Sequence, residues 1–198
     1  MPRPAPKREG ALTRERILTA TEDVLRRFGP AKATVADVAR ALKVSPAAIY
    51  QHFPSKAALR EAVTRAWLDE LHAGLDDIAR EDGPADERLR RWVTTLFASK
   101  RGSAVAEPEL FETYMALVGE LGLVEVEHLD ELVAQLERIV ASGVERGEFA
   151  VADPAATARA VLSCTARFNH PLLQREWDEP GIDAALAEAL DLILAGCR

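Results

Sequence analysis

Apolar residues recur at the spacing of α-helices along most of the chain, and almost no segment alternates every second residue as a β-strand does. One short segment has apolar residues at positions i, i+3, i+4 and i+7, which are Val35, Val38, Ala39 and Leu42. The segment after it has an inward pair, Ile49 and Phe53, at i and i+4. Each of these helices would have one apolar face, so both must pack on a third helix. The pattern predicts an all-α fold.

An amphipathic segment immediately upstream can supply that third helix. Its apolar face consists of Ile17, Leu18, Val24, Leu25 and Phe28, with Thr21 as a smaller filler. Thr13 is placed to cap its start, and Gly29-Pro30 is placed to end it. Thr34 is placed to cap the next helix, and Ser45-Pro46 is the expected N-cap and first-turn pair of the one after. Three short helices sharing one small core are typical of a helix-turn-helix DNA-binding module.

Breaking residues divide the rest of the chain into further predicted helices. Their predicted spans are 56–80, 85–100, 107–121, 125–146, 153–169 and 183–196. The segments expected to end or separate them are 81–84, 100–103, Gly147, His170-Pro171 and Pro180-Gly181. Because no flexible linker is evident, the helix that starts near Lys56 is expected to join two domains.

The expected organisation has three parts. Residues 1–12 form a flexible basic arm, 13–59 a helix-turn-helix domain, and 60–198 a larger helical domain. Charge divides the chain in a similar way. Residues 1–60 hold 12 Lys/Arg against 5 Asp/Glu, whereas residues 61–198 hold 13 against 27. A basic module can neutralise DNA phosphates while an acidic remainder points away from them, so the net charge of -7 does not exclude DNA binding.

The composition of the chain also indicates the cellular compartment in which the protein is expected. No apolar stretch approaches the roughly 20 residues that cross a bilayer, and the N-terminus lacks the apolar run of a secretory signal. A cytoplasmic protein without membrane contact is expected. Two cysteines are too few for a disulfide framework. We expect Cys164 to be a buried small hydrophobe and Cys197 an incidental terminal thiol, with redox sensing as the alternative.

Residues 13–59 resemble the DNA-binding domain of the TetR family of transcriptional regulators, named for the tetracycline repressor. The residues that carry the resemblance are Thr34, Val38-Ala39, Leu42, Val44-Ser45, Ile49-Tyr50, His52-Phe53 and 56–59. Lys43 departs from the family pattern, which commonly has Gly at this position of the turn. A non-Gly residue at positive φ costs on the order of 1 kcal/mol, so the turn is either slightly strained or built differently.

The resemblance implies which residues face DNA, because in the family the helix corresponding to 45–52 lies in the major groove. The residues implied to contact the phosphate backbone are Thr34, Tyr50, His52 and Lys56. Ser45 begins the groove helix, and the residues implied to face bases are Pro46, Ala47, Ala48 and Gln51. Gln51 can read adenine and the small apolar residues can touch thymine methyl groups. We therefore expect modest direct readout that also depends on DNA shape.

Several basic residues have two interpretations. Arg3, Lys7 and Arg8 form either a solvated tail or an arm that follows the minor groove or the phosphates. His52 either contacts phosphate or caps a local backbone group. Three further cations are interpreted as ordinary surface charges, namely Arg40, Lys43 and Arg60.

One recognition helix contacts only a few base pairs, so useful specificity requires two, held about 34 Å apart by a symmetric dimer. The last two helices are the expected source of that interface, paired with themselves as a four-helix bundle, as in the family. Their candidate residues are Ala155, Ala158, Val161, Leu162, Ala166, Ala184, Leu186, Leu190, Ile193 and Leu194. The alternative is that these residues fill the core of the monomer.

The larger domain of this family usually encloses an inducer pocket, which implies a small, mostly apolar effector. The residues able to line such a pocket are Trp67, Trp92, Phe97, Phe111, Tyr114, Met115, Phe168 and His170. Aromatic residues at helical spacing are more often plain core. Arg167 could also anchor a ligand, and His170 could instead be a turn residue. The expected function is a ligand-released repressor that binds a palindromic operator. The alternative is a DNA-architectural protein without an inducer.

The sequence gives little support for a catalytic function. Glu125 to His128 contains one Glu-x-x-His step, but a di-metal helical site needs a second pair, which is absent. Asp69, His72 and Asp76 share a helical face, which we interpret as solvated rather than metal-binding. The sequence has no Gly-rich phosphate loop, His-Glu-x-x-His motif or nucleophile elbow. We predict neither an enzyme nor a cofactor.

Overall fold

A computed structural model describes residues 11–198, apart from the side chains at 123 and 125. The described residues form helices and contain no β-strand, which confirms the all-α prediction. The α-helices are α1 Arg14–Lys32, α2 Val35–Leu42, α3 Pro46–Tyr50, α4 Lys56–Leu71, α5 Leu75–Arg80, α6 Ala85–Ala106, α7 Pro108–Glu120, α8 Gly122–Glu145, α9 Pro154–Cys164, α10 Ala166–Asn169 and α11 Ile182–Cys197, with a 3-10 helix over Pro171–Glu176. Two compact units divide within α4, between Ala66 and Trp67.

The unit that ends at Ala66, called here the N-terminal unit, begins its helices with local side-chain caps. The Thr13 hydroxyl accepts a hydrogen bond from the backbone of Arg16, and the Ser45 hydroxyl accepts one from Ala48. The buried core of this unit includes Ile17, Val24, Leu25, Val38, Ala39, Ile49 and Phe53. The predicted caps and most of the predicted inward face are therefore present.

Phe28 is an exception to the predicted core, because 40% of its surface is exposed. The ring lies beside the kink at Gly29, where φ is 70° and the straight part of α1 ends. The guanidinium of Arg27 covers the ring at 5.2 Å from its centroid. The Phe28 ring is thus partly covered by a cation of its own helix.

Lys43 adopts the left-handed conformation, with φ 56° and ψ 39°. Of the two possibilities for this turn, the strained one is observed. The backbone N–H of Val44 donates to the carbonyl of Ala39 at 3.0 Å, which closes α2 in the usual way for a residue at positive φ. The turn between α2 and α3 therefore keeps a glycine-type geometry without glycine.

The unit that begins at Trp67, called here the C-terminal unit, is built around α6 and α8. The N-cap residue of α6 makes no side-chain hydrogen bond to the helix. The carboxylate of Glu148 caps the helix instead, by accepting a hydrogen bond from the Ala85 N–H at 2.5 Å. Gly143 of α8 allows close packing there, since a Cβ atom would lie 2.8 Å from the Ala85 Cβ and would overlap the Phe149 ring. The end of α8 is therefore fitted tightly to the start of α6.

Three predicted helix boundaries in the C-terminal unit are wrong. The span 56–80 is divided into α4 and α5, because Gly74 takes φ 84° and turns the chain. The predicted loop at 100–103 is helical, and α6 continues to Ala106 with tertiary contacts from Lys100 to the Asn169 carbonyl and from Arg101 to Asp183. The predicted helix 153–169 breaks at Thr165, whose hydroxyl donates to the Val161 carbonyl at 2.8 Å.

The other predicted spans of this unit agree with the structure to within a few residues. The 3-10 helix over Pro171–Glu176 was not predicted. The two cysteines exchange their expected environments, because Cys164 is exposed while Cys197 is buried on the inner face of α11. No helix within the described part of the chain is both long and apolar enough to span a bilayer.

Candidate nucleic-acid interface and ligand-binding region

Helix α3 has one buried side and one accessible side. Ile49 and Phe53 are 0% and 1% exposed and attach the helix and its following turn to the core. The accessible side carries the predicted DNA-facing residues, of which Ser45, Pro46, Ala47, Tyr50 and Gln51 are exposed and Ala48 and His52 half-buried. The structure thus brings the predicted groove-facing residues onto one continuous surface.

Lys56 lies at the exposed start of α4, next to this surface in the chain. The Ser55 hydroxyl accepts a hydrogen bond from the Ala58 N–H at 3.0 Å, so the first turn of α4 is locally capped. A helix N-terminus and an ammonium group both favour an anion. This arrangement suits contact with a phosphate.

Thr34 is exposed, but its hydroxyl is already engaged. It accepts from the Asp37 N–H at 3.2 Å and donates to the Asp37 carboxylate at 2.5 Å, which forms a capping box at the start of α2. This hydrogen bond, with help from Arg40, holds the pKa of Asp37 below its usual value. The observed role of Thr34 is to fix the start of α2, and its hydroxyl proton is not available to a phosphate in this state.

Arg14 holds the turn after α3, a role that the sequence did not indicate. Its guanidinium donates to the His52 carbonyl at 2.6 Å and lies 4.2 Å from the centroid of the Phe53 ring. The two partners are 38 residues apart, so no local spacing could reveal the contact. The proposed arm residues Arg3, Lys7 and Arg8 lie outside the described residues.

Most of the predicted ligand-lining aromatic residues meet in the interior of the C-terminal unit. Trp67 stacks on Tyr114 with ring centroids 4.5 Å apart and contacts Phe111 edge-on at 5.8 Å. Phe97 contacts Phe168 edge-on at 5.8 Å. We call these five residues, together with Trp177, the aromatic cluster.

Trp177 joins the two parts of the aromatic cluster and was missed in the sequence. Its ring lies 6.0 Å from that of Phe111 and 6.2 Å from that of Phe97, and its indole N–H donates to the Arg167 carbonyl at 3.0 Å. It follows the short 3-10 helix, a segment without helical periodicity. Only its residue type, a tryptophan, indicated that it would be buried.

The remaining predicted ligand residues have different surroundings. Trp92 is buried and donates its indole N–H to the Gln135 side chain at 2.9 Å, and Met115 is half-buried. His170 is exposed, and its Nδ1 accepts from the Leu172 N–H at 3.3 Å. This contact caps the 3-10 helix and favours the turn-residue interpretation of His170.

The predicted solvated face at Asp69, His72 and Asp76 is wrong for His72, which is only 9% exposed. Its ring stacks on that of His128 with centroids 4.4 Å apart, whereas Asp69 is exposed and Asp76 pairs with Arg80 and Arg138. Within residues 11–198, no three His, Cys, Asp or Glu side chains are placed to hold a metal ion.

The helices predicted to form the dimer interface contribute to both core and surface. Half of the ten candidate residues are buried within the chain itself, namely Ala158, Val161, Leu186, Leu190 and Leu194. The outer faces of the same helices expose small or apolar residues, which include Ala156, Ala160, Ala184 and Leu192. Leu192 is 77% exposed.

Comparison with known proteins decides the family. A model described as bacterial regulatory proteins of the tetR family matches residues 17–63, and one described as the tetracyclin repressor-like C-terminal domain matches residues 85–190. The chain belongs to the TetR family. This TetR-family chain is therefore a member of a family of DNA-binding transcriptional regulators.

Individual relatives of this TetR-family chain are more distant. It is 40% identical over 81 residues to the HTH-type transcriptional regulator TtgR of Pseudomonas putida, a match that covers 41% of this chain and 37% of TtgR. It is 30% identical over 132 residues to the nucleoid occlusion factor SlmA of Marinomonas, covering 64% of this chain and 65% of SlmA. The matched segments thus span less than two thirds of these relatives.

A solved structure extends the similarity over nearly the whole chain. The TetR-family regulator PfmR of Thermus thermophilus is 29% identical, with a TM-score of 0.59, and the alignment covers 93% of this chain and 97% of PfmR.

Proposed function

We propose that the chain is a ligand-responsive repressor that binds a palindromic operator as a homodimer and is released by a small, mostly apolar molecule. The observation that carries the proposal is the exposed face of α3. On this face Ser45, Pro46, Ala47, Tyr50 and Gln51 are exposed, while Ile49 holds the other side in the core. Family membership supports the same conclusion. Because an operator-binding protein acts where the DNA is, a cytoplasmic location is part of this proposal.

The proposed contacts follow from where these side chains lie. Tyr50, His52 and Lys56 contact phosphates and fix the register of the helix on DNA. Pro46, Ala47, Ala48 and Gln51 face base edges, while Ser45 and Thr34 hold the starts of α3 and α2. Because few of these side chains can donate hydrogen bonds to bases, specificity rests partly on DNA shape and on the spacing of two half-sites.

The DNA-binding part is tested by selecting bound sequences from a random duplex pool and measuring affinity for the selected site. Combining Lys56→Glu with Tyr50→Ala should weaken binding by about 100-fold, since a phosphate contact becomes a repulsion and a second is lost. Arg27→Glu makes the same charge reversal on α1, away from α3, and should change affinity far less. Equal losses in the two proteins would mean that net charge, not this surface, binds DNA.

The dimer is proposed to form through the exposed faces of α9 and α11. Leu192→Arg should give a monomer in sedimentation equilibrium and lose binding to the palindrome, because it places a charge in an apolar interface. Leu172→Arg is a matched control, because Leu172 is 85% exposed but lies on the 3-10 helix. A dimer that survives Leu192→Arg, or one that is lost with Leu172→Arg, contradicts the proposed interface.

Release by an effector is proposed to depend on the aromatic cluster, whose six rings offer an apolar lining once a ligand separates them. A ligand that favours one conformation of this unit shifts the equilibrium away from the operator-binding state. A compound screen against the selected site tests this, with release of DNA as the readout.

A second candidate is a DNA-binding factor that needs no small molecule. The similarity to SlmA, a nucleoid occlusion factor, favours it, because that match covers more of the chain than the match to TtgR does. Salt-dependent binding to random duplexes without a preferred site, and no compound that releases DNA, would support this candidate over the repressor.

A further inference from the structure

Three basic side chains lie within electrostatic range of one another in the interior of the C-terminal unit. Lys100 and His72 are each 9% exposed, and His128 is half-buried. The His72 and His128 rings are stacked, and the Lys100 ammonium donates to the Asn169 carbonyl at 3.0 Å. We call these three residues the basic cluster. Lys100 occupies an apolar position of α6, since it continues the inward series Leu89, Trp92, Val93, Leu96 and Phe97.

The hydrogen-bonding capacity of the basic cluster is largely unused. Both ring nitrogens of His72 and Nε2 of His128 are buried without a hydrogen-bond partner among the described residues. Buried polar groups nearly always have such partners, because an unpaired one loses its water without compensation. An interior meant only to be stable would have apolar residues at these positions. The unpaired nitrogens therefore indicate a site that accepts a ligand.

The charge of the basic cluster is also uncompensated. Burial lowers the pKa of Lys100 to about 8, and no described carboxylate offsets its charge. Burial, followed by the charge of Lys100, lowers the pKa of His72 to about 2 and that of His128 to about 4. At pH 7 the cluster thus carries about one positive charge and two neutral imidazoles. A single negative charge would complete it.

We propose that the basic cluster binds the carboxylate of an amphipathic organic acid, whose apolar body lies on the aromatic cluster. This inference deepens the proposed function and rests on it, because it names the chemical class of the effector. The two clusters adjoin along the chain. Phe97 lies one turn before Lys100 on α6, Trp67 precedes His72 by five residues, and Phe168 precedes Asn169 directly.

The chemistry fits a monoanion. The ammonium of Lys100 has donors beyond the one given to Asn169, and each imidazole can donate one N–H to an oxygen. Burial and the charge of Lys100 now keep the histidines neutral, and a carboxylate bound beside them opposes both effects, so their pKa values rise when it binds. Binding near pH 6 should therefore be accompanied by uptake of protons.

The outer rim beside the histidines favours a competing ligand. A groove of about 230 Å³ reaches His72 and His128, and its lining includes the carboxylates of Asp69, Asp76, Asp77 and Glu131. These acids would attract a cationic ligand instead. Asp76 is neutralised by Arg80 and Arg138, and exposed charges are weakened by water and salt, whereas the buried charge of Lys100 is not. We therefore favour the acid over the amine.

Matched probes on the full chain test the choice. The probes are 4-phenylbutyrate, 4-phenylbutan-1-ol and 4-phenylbutylamine, with decanoate, decan-1-ol and decylamine as a second set. Binding is followed by calorimetry. At least one acid should bind about tenfold or more tightly than its alcohol, since only the acid pairs with Lys100. The heat near pH 6 should differ between phosphate and Bis-Tris, two buffers that titrate near this pH with different ionisation enthalpies, which reports proton uptake.

Variants assign the effect to the basic cluster. Lys100→Met should lose about tenfold or more in affinity for the acid but little for the alcohol. Its ligand-free melting temperature should rise, because an uncompensated buried charge is removed. Arg91→Met removes an exposed cation from the same helix and should leave acid binding unchanged. If Lys100→Met does not fold, His128→Phe should still abolish much of the proton uptake, because the pKa of His128, about 4, is the nearer of the two to pH 6.

Several results would overturn the inference. These are equal binding of acid and alcohol, unchanged acid affinity in Lys100→Met, tighter binding of the amines, or no binding of either acid. Operator binding is measured separately on the same preparations. A protein that binds its operator but fails these tests refutes the basic cluster alone, whereas loss of sequence-specific DNA binding refutes the proposed function.

Discussion

The two units of this chain differ in how far apart in sequence their defining polar contacts lie. In the N-terminal unit, hydroxyls of Thr13, Thr34 and Ser45 cap helices that begin at the next residue. In the C-terminal unit, Glu148 caps α6 from 63 residues away, and Lys100 bonds to a carbonyl 69 residues away. Apart from the contact between Arg14 and the His52 carbonyl, the first unit can be understood from short stretches of sequence, whereas the second depends to a large extent on tertiary contacts.

This difference matches what each unit is proposed to do. A DNA-reading surface must have one geometry, and local caps with a small core fix that geometry. An effector-binding interior must have at least two arrangements of similar free energy, and unpaired polar groups such as His72 keep the ligand-free one from being too stable. The predictions below test the contrast in order of expected effect.

The largest effect is expected from removing core volume in one unit at a time. Ile49→Ala should destabilise the chain by about 2–5 kcal/mol, because a fully buried side chain leaves a cavity in a small core. Hydrogen exchange followed by mass spectrometry should show the loss of protection in α1, α2 and α3. Leu136→Ala, equally buried in α8, is the matched control and should lower protection in the C-terminal unit. Identical exchange maps would refute the division.

Acid should destabilise the C-terminal unit through its buried histidines. The pKa of His72 is lowered from 6.5 in the unfolded chain to about 2 in the folded one, so only the unfolded chain gains its proton as pH falls below 6.5. Stability is therefore complete above pH 6.5 and should drop by about 2 kcal/mol for His72 between pH 7 and pH 5. Urea unfolding of wild type and His72→Phe measures it, and the variant should show the shallower pH dependence. Parallel profiles would contradict a buried neutral imidazole.

Removing two helix caps of the N-terminal unit, one at a time, should distinguish an effect on stability from an effect on DNA binding. Thr13→Ala and Thr34→Ala should each cost about 1 kcal/mol in thermal or urea unfolding, since each leaves a helix start without its side-chain acceptor. Only Thr34→Ala should also weaken operator binding, because Thr34 holds the start of α2, the helix that contacts α3. If both variants bind the operator as wild type does, the cap of α2 acts on folding alone.

The smallest effect concerns the strained turn. Lys43→Gly should stabilise the chain by about 0.5–1 kcal/mol, because glycine occupies the left-handed conformation without steric penalty. Operator affinity should stay the same, since Lys43 is interpreted as an ordinary surface charge. A loss of stability would mean that the greater freedom of glycine in the unfolded chain outweighs the relief of strain.

Prediction from sequence was most accurate where neighbouring residues decide the outcome. The caps at Thr13, Thr34 and Ser45 and the inward side of α3 are as predicted. It failed where a distant partner decides. Lys100 to Ser103 was expected to be a loop, but α6 continues because Lys100 and Arg101 have partners in α10 and α11. For the same reason Trp177 was overlooked, and His72 was wrongly expected to lie on a solvated face.

The sequence by itself determined that the fold is helical, that residues 13–59 form a helix-turn-helix domain, and that this domain resembles the TetR family. Periodicity, caps and turn residues, which carry this information, act within a few positions of one another. Only the tertiary structure decided which apolar residues of the last helices face inward and that Arg14 holds the turn after α3. It also decided that two histidines stack in the interior, within electrostatic range of a buried lysine. These contacts join residues far apart in the chain, and burial, which sets their charge and hydrogen bonding, exists only once the helices have packed.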